Sequence, residues 1–375
     1  MRERSIGIGV IGCGGFGLFA LQHFLQVPGV RLVGMAGTHR EAALAAARRF
    51  GVPDIVEPEA LVHLPEVDLV YIATPPFLHY PQARLALEAG KHVLVEKPLA
   101  LELPQARELV GLARERGLLC TTNLMQRYNP LVDQVAQIIE EGLLGEFLYG
   151  RLENLASDEN LAPDHWFWAR EKSGGIFVEH GVHFFDLFER WLGPGQVIAA
   201  ARSLRPESLV EEQVQCLVRY GATGLVAMYH GFHQPGRLDR QEIRLVFERG
   251  EIRLEEWIPT RLHLLALADE GTTRRLTEIL PEARMRVNVT YGPADRTCRG
   301  RFKTIDAFQM LELHAGEAQL KLHRYGDLLQ AMLEDQLQWL EDRRHLRRVD
   351  EENGLRSLEY ALRARELAAA EEKRE

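Results

Sequence analysis

Short apolar runs alternate with longer helix-patterned stretches over the first third of the chain. Ile6 to Ile11, Arg31 to Ala36, Asp68 to Ala73, His92 to Val95 and Leu118 to Leu124 read as strands bounded by turn signals. Between them, Phe16 to Gln26, His39 to Phe50, Pro76 to Ala89 and Leu103 to Arg116 read as helices. The second stops at Gly51 and Pro53, the third opens on a proline and closes at Gly90, and the fourth stops at Gly117. This alternation predicts right-handed βαβ units and a parallel sheet covered on both faces.

The texture changes after about residue 125. Pro130 to Glu141 reads as a helix, Phe147 to Leu155 as a strand, and Gly174 to Leu192 as a turn followed by a helix. From Val197 to about Leu276 the period is two. Two hairpins are expected there, one around Gly221-Ala222-Thr223 and one around Glu248-Arg249-Gly250. Pro281 to Arg301 has no clear period and reads as loop or irregular structure. Asp327 to Asp342 and Asn353 to Ala370 read as helices. The fold class expected is α/β, with a first domain over 1–124 and a second over 125–375, whose last helix is a candidate to pack back on the first domain.

The length of 375 residues agrees with two domains, each able to bury a core. A hydrophobic share of 46% and a charged share of 26% are ordinary for a soluble protein. The net charge of −9 argues against a nucleic-acid surface. The basic cluster Arg343-Arg344-His345-Leu346-Arg347-Arg348 follows an acidic helix and reads as a solvated helix end. Cys13, Cys120, Cys216 and Cys298 are too widely spaced for a zinc pattern or a disulfide framework. A reducing cytoplasm is the expected compartment. The N-terminus carries no signal-peptide core, and no apolar run is long enough to span a bilayer.

The strongest chemical signal follows the first strand. Gly12-Cys13-Gly14-Gly15-Phe16-Gly17 sits between a strand and a helix, the context a dinucleotide fingerprint requires. Gly12 permits the tight turn, Gly14 lets the backbone approach a pyrophosphate, and Gly17 lets the helix pack on the strand. The helix N-terminus then offers N–H groups and a positive dipole end to the phosphates. An acid about 20 positions further on usually holds the ribose 2′-OH of NAD. Gly37 stands in its place, followed by Thr38-His39-Arg40. Thr38 and Arg40 suit a 2′-phosphate, so NADP is the preferred cofactor and NAD the alternative.

Three further segments carry a resemblance: Ala73-Thr74-Pro75-Pro76-Phe77-Leu78-His79, the Glu96-Lys97-Pro98 that ends the fourth strand, and Gly174-Gly175 followed by Glu179, Gly181, His183 and Asp186. With the glycine turn, they resemble the glucose–fructose oxidoreductase / inositol dehydrogenase / rhizopine catabolism family. Asn353 to Glu359 is similar to that family's C-terminal helix. The resemblance is strongest over 5–190 and weak from about 200 to 320. It implies a Rossmann domain followed by an α/β domain with a large, open, mostly antiparallel sheet. It also implies hydride transfer between NAD(P) and a hydroxyl or carbonyl carbon of a sugar, polyol or related molecule. A homodimer or homotetramer through the open sheet is implied as well.

Carried over residue by residue, Lys97 matches the family's catalytic lysine and His183 its catalytic histidine. A lysine ammonium stabilises charge on a substrate oxygen or exchanges its proton, and a histidine titrates near neutrality. The resemblance further implies a cis Lys97–Pro98 bond. Glu179 departs from the family's usual Asp. It remains a candidate to orient His183 or bind a hydroxyl, while Asp186 reads as structural. Glu179, His183 and Asp186 would share a helical face at i, i+4 and i+7; no metal is expected there, since nicotinamide chemistry needs none. Ala73, Thr74, Pro75, His79, Glu96 and Asn123 are further cofactor candidates. Arg127, Tyr128 and Trp166 are substrate candidates, with simple core packing an equal reading for the Trp166-Phe167-Trp168 cluster. Two alternatives stay open: a dehydrogenase of a non-sugar substrate such as a dihydrodiol or a tetrapyrrole, and a dinucleotide-sensing regulator without turnover.

Overall fold

The computed structural model of the chain describes residues 5–37, 40–52, 57–317 and 321–371, the side chains of Arg40 and Ala42 excepted. Strands β1 (Ile6–Ile11), β2 (Val30–Ala36), β3 (Leu69–Ile72), β4 (His92–Val95) and β5 (Cys120–Thr122) form one parallel sheet in the order β2-β1-β3-β4-β5. Every residue of β3 is buried, as are Val93, Leu94 and Val95 of β4. Strands covered on both faces read as continuous apolar runs without alternation. Helices α1 (Gly15–Phe24), α2 (Arg40–Phe50), α3 (Pro58–Val62), α4 (His79–Glu88) and α5 (Leu103–Arg116) lie between them. Gly117 ends α5 at φ +64°, the left-handed cap its sequence announces. The strand order reverses between β1 and β3, so the turns that follow these two strands lie side by side.

The chain forms two compact units. The first takes in the described residues up to Tyr128, together with Pro163–Asp186 and Gly326–Glu366. The second takes in Asn129–Ala162, Leu187–Tyr325 and the described residues from Leu367 on. A single cut near residue 124 does not describe this division. The segment carrying Glu179 and His183 belongs with the parallel sheet, and so does much of helices Lys321–Glu341 and Glu351–Glu371. Arg107 of α5 reaches Glu359 at 3.1 Å, and Arg365 reaches Glu102 at 3.1 Å.

The second unit is built on a nine-stranded sheet. Its strands are β6 (Phe147–Ser157), β7 (Gly195–Leu204), β8 (Glu211–Tyr220), β9 (Gly224–Gln234), β10 (Arg240–Phe247), β11 (Gly250–Glu255), β12 (Arg261–Ala268), β13 (Arg284–Thr290) and, after a separate hairpin of β14 (Thr297–Gly300) and β15 (Lys303–Asp306), β16 (Gln309–Gly316). The order is β13-β16-β12-β11-β10-β6-β9-β8-β7, and only β6 and β9 pair in parallel. β8–β9 and β10–β11 are the two hairpins read from sequence. In β10 and β12 buried and half-buried residues alternate, so one face carries the core and the other stays open.

The stretch 281–301 is not irregular: it contains β13 and β14. Met285, Val287 and Val289 alternate with polar residues, so β13 does carry a period of two, short and masked by the unpatterned residues around it, although six of its seven residues are exposed. Helix Glu270–Ile279 likewise interrupts the period-two region, capped by Asp269, whose carboxylate accepts from the Thr272 N–H at 2.7 Å. Among the described residues no helix is long and apolar enough to cross a membrane.

Candidate active site

The glycine turn is shaped by three separate constraints. Gly12 has φ +111°, and a Cβ there would lie 2.6 Å from the backbone of Ala73. Gly17 faces the Ala73 Cβ, which an added Cβ would meet at 2.8 Å. Gly14 and Gly15 meet nothing within 4 Å. Their backbone is therefore open to a ligand, at the first turn of α1 where N–H groups lack helical partners. Phe16 beside them is 37% exposed. The residues present fit a dinucleotide pyrophosphate. Gly37 is packed as well: a Cβ there would lie 2.8 Å from the Ala43 Cβ and 3.2 Å from Cys13 Sγ. Thr38 lies outside the described residues, as does the side chain of Arg40.

Ala73 donates its N–H to Ile11 O at 2.8 Å, which locks the turn after β3 to the end of β1. Thr74 Oγ1 donates to Gln82 Oε1 at 2.6 Å, and Pro75 leads into the turn Pro76–Leu78. His79 is fully buried, its ring nitrogens 2.7 Å from the carbonyls of Thr74 and Pro98. It thus ties the loop after β3 to the loop carrying Lys97 and presents no surface of its own. Burial pulls its pKa down, against the two carbonyls that favour an imidazolium. Glu96 is also buried, and its Oε1 accepts from Tyr71 Oη at 2.8 Å and Asn123 Nδ2 at 2.7 Å. Burial raises the Glu96 carboxyl above its ordinary range. Asn123 is fully buried, and its Oδ1 has no hydrogen-bond partner among the described residues.

Lys97 follows Glu96 and precedes a cis peptide bond to Pro98. Its Nζ donates to Glu179 Oε1 at 2.5 Å and to the Glu179 carbonyl oxygen at 2.7 Å. Lys97 and Glu179 expose only 16% and 12% of their side chains. Gly174 and Gly175, at φ +83° and +88°, deliver the chain to this point in a conformation that favours glycine.

Phe177–Gly181 is a π turn, and the α-helix begins only at Val182. The wider turn breaks the α-helical spacing expected for Glu179, His183 and Asp186. Their carboxylates go separate ways: Glu179 holds Lys97, while Asp186 holds Arg127. His183 is buried at 4% exposure, and burial, then Lys97 and His180, push its pKa well down. The sequence reading did not single out His180. Its Nδ1 lies 4.0 Å from Glu179 Oε2, and burial and Lys97 lower its pKa to about 3. The signal was its position between Glu179 and His183. The cluster therefore holds an ammonium against a carboxylate, beside two imidazoles kept neutral.

Arg127 and Tyr128 have partners inside the protein. Arg127 Nε donates to Asp186 Oδ2 at 2.7 Å, and its Nη2 donates to the Asp186 carbonyl at 3.2 Å. Tyr128 is buried and donates to Asp335 Oδ2 at 2.6 Å. The structure thus engages both side chains with carboxylates inside the first unit. Trp166 and Trp168 are half-buried around buried Phe167, which meets Trp168 edge-on at 4.9 Å. Part of both indole surfaces stays accessible.

Residues 6–124 match the oxidoreductase family with an NAD-binding Rossmann fold, and residues 132–253 match the GFO/IDH/MocA C-terminal domain. The chain belongs to this family of oxidoreductases. Among curated relatives, a dTDP-3,4-didehydro-2,6-dideoxy-alpha-D-glucose 3-reductase from Actinomadura kijaniata is 39% identical over 186 residues, 48% of this chain and 54% of that protein. A 1,5-anhydro-D-fructose reductase from Ensifer adhaerens is 33% identical over 213 residues, 55% of this chain and 63% of that protein. The matches span about half the length of the curated relatives. The crystal structure of the WlbA dehydrogenase from Bordetella pertussis in complex with NADH and UDP-GlcNAcA gives a TM-score of 0.78 at 20% identity, covering 99% of this chain and 97% of that one. At that identity the likeness shows the fold.

Proposed function

We propose that this protein is an NAD(P)-dependent oxidoreductase acting at a hydroxyl or carbonyl carbon of a sugar, a polyol or a sugar nucleotide. The observation that supports it most is the Lys97 ammonium held 2.5 Å from Glu179 in a mostly buried cluster with His183. A bound nicotinamide supplies or accepts the hydride. Gly14 and Gly15, with open space around their backbone, would hold its pyrophosphate, and Asn123 Oδ1 offers an acceptor in the same unit. In reduction, Lys97 donates a hydrogen bond and then a proton to the substrate oxygen as charge builds there. Glu179 fixes the ammonium and balances its charge. In oxidation the reverse transfer returns the hydroxyl proton to the Lys97–His183 cluster, where burial keeps the His183 imidazole neutral. The names of the sugar reductases above favour a sugar substrate.

NADP is the preferred cofactor in this reading. Gly37 carries no carboxylate, and its packing against Ala43 and Cys13 leaves no room for one. Arg40→Ala should weaken NADPH binding and leave NADH binding unchanged in fluorescence titrations; equal loss of both removes the preference. For activity, purified protein is incubated with each reduced cofactor and a panel of keto-sugars and keto-sugar nucleotides. Substrate-dependent loss of the reduced-nicotinamide absorbance is expected. Cofactor binding without turnover on the whole panel contradicts the sugar reading.

A further inference from the structure

We propose that His263, Glu312 and His314 form a binding site for a zinc-class divalent transition-metal cation on the open face of the nine-stranded sheet, in the second unit. β12 and β16 pair antiparallel with His263 directly opposite His314. Glu312 lies two residues before His314, so strand pleating puts both on the same face. One ligand atom from each of the three residues can be chosen so that all lie within 4.8 Å of one another. His314 Nε2 is 3.7 Å from Glu312 Oε2, and the two imidazoles stack with centroids 4.4 Å apart at 26°.

Two imidazole nitrogens and one carboxylate oxygen form the donor set of three-ligand zinc sites, which leave a fourth position for water or another donor. Donors about 2.0–2.2 Å from one ion lie roughly 3.3 Å apart, so modest side-chain rotation would close the set. His314 is 56% exposed at its side chain, which gives it room to turn. The three donors stand on two paired strands, so backbone register rather than a loop brings them together.

The surrounding charges set limits. Arg253 stands opposite His263, and Arg286 opposite Glu312. Arg253 is drawn towards Glu242 at 3.8 Å, and Glu251 shares the outward face of β11 with it. These guanidiniums weaken the attraction for any cation, so binding depends on coordinate bonds to nitrogen. Soft-tolerant ions such as Zn²⁺ are favoured over Mg²⁺, which prefers oxygen donors.

The test is titration of the full chain with Zn²⁺ against a chromophoric chelator, repeated with His314→Ala, His263→Ala and Glu312→Gln. The wild type should bind a Zn²⁺ that both histidine variants lose, with at least about tenfold weaker binding in each. Glu312→Gln should weaken it as well, because it replaces the one anionic donor with a neutral amide. Unchanged melting temperatures show that the variants fold. Excess Mg²⁺ should not displace the Zn²⁺. Absence of zinc binding by the wild type overturns the proposal. Binding that is equal in the wild type and His314→Ala also overturns it, since the ion then sits elsewhere.

Discussion

Lys97 Nζ is held by two oxygens of one residue, the Glu179 carboxylate at 2.5 Å and the Glu179 carbonyl at 2.7 Å. The carboxylate balances the ammonium, while the carbonyl fixes its position. Glu179→Gln keeps the carbonyl contact and removes the charge. A hydrogen bond to a charged group contributes about 1.5–3 kcal/mol, and each 1.4 kcal/mol is tenfold. Turnover should therefore fall about 10- to 100-fold at unchanged cofactor affinity. Steady-state kinetics with a matched cofactor titration checks this. Wild-type turnover in Glu179→Gln would make Glu179 a packing residue.

The glycine turn gives a contrast within four residues. Gly17→Ala places a Cβ 2.8 Å from the Ala73 Cβ, whereas Gly14→Ala meets nothing within 4 Å. Overpacking of this kind costs about 1–3 kcal/mol. Gly17→Ala should melt several degrees lower. Gly14→Ala should melt like the wild type yet bind NADPH more weakly, because its methyl enters the space left for phosphates. Thermal melts and cofactor titrations of both variants separate stability from binding. Equal melting of the two would contradict the packing assigned to Gly17.

Buried histidines make stability depend on pH. Burial, with help from Lys97, brings the pKa of His180 from 6.5 to about 3. Burial, with help from Arg343, brings that of His92 from 6.5 to about 4. Below about 6.5 the unfolded chain binds protons that the folded chain refuses. This stabilisation is complete above that pH and is lost as pH falls, by up to about 1.4 kcal/mol per pH unit per group. Glu96 acts in the opposite sense. Its raised carboxyl favours the folded state at low pH, an effect lost as pH rises through its folded pKa. The melting temperature should fall from about pH 7 to about pH 5, with a shallower slope in His180→Gln. A flat profile, or an unchanged slope in that variant, counts against neutral buried imidazoles.

Much of this architecture is legible in the sequence where one physical constraint dominates. The buried strands β1, β3 and β4 are apolar runs, and Gly12, Gly14 and Gly17 announce the turn between β1 and α1. The Glu96-Lys97-Pro98 triplet points to the cluster that Lys97 anchors. Strand β13 is marked only by the short alternation of Met285, Val287 and Val289 with polar residues, in a stretch otherwise without period. The π turn Phe177–Gly181 escapes a reading based on 3.6-residue spacing, and His180 went unnoticed with it. The Tyr128–Asp335 hydrogen bond joins residues 207 apart, a pairing that local pattern cannot supply. Arg127 has the composition of a ligand-binding residue, yet its guanidinium is engaged by Asp186.

The central claim is that Lys97 acts on the substrate oxygen while the glycine turn holds the cofactor independently. Lys97→Met removes the ammonium and keeps much of the side-chain volume. The decisive measurement is turnover of this variant on a substrate found for the wild type, alongside its NADPH dissociation constant. Loss of a general acid lowers the rate by about 10²- to 10⁴-fold. The account predicts a loss of that size with cofactor affinity within a few-fold of the wild type. Turnover close to wild type in Lys97→Met would contradict it.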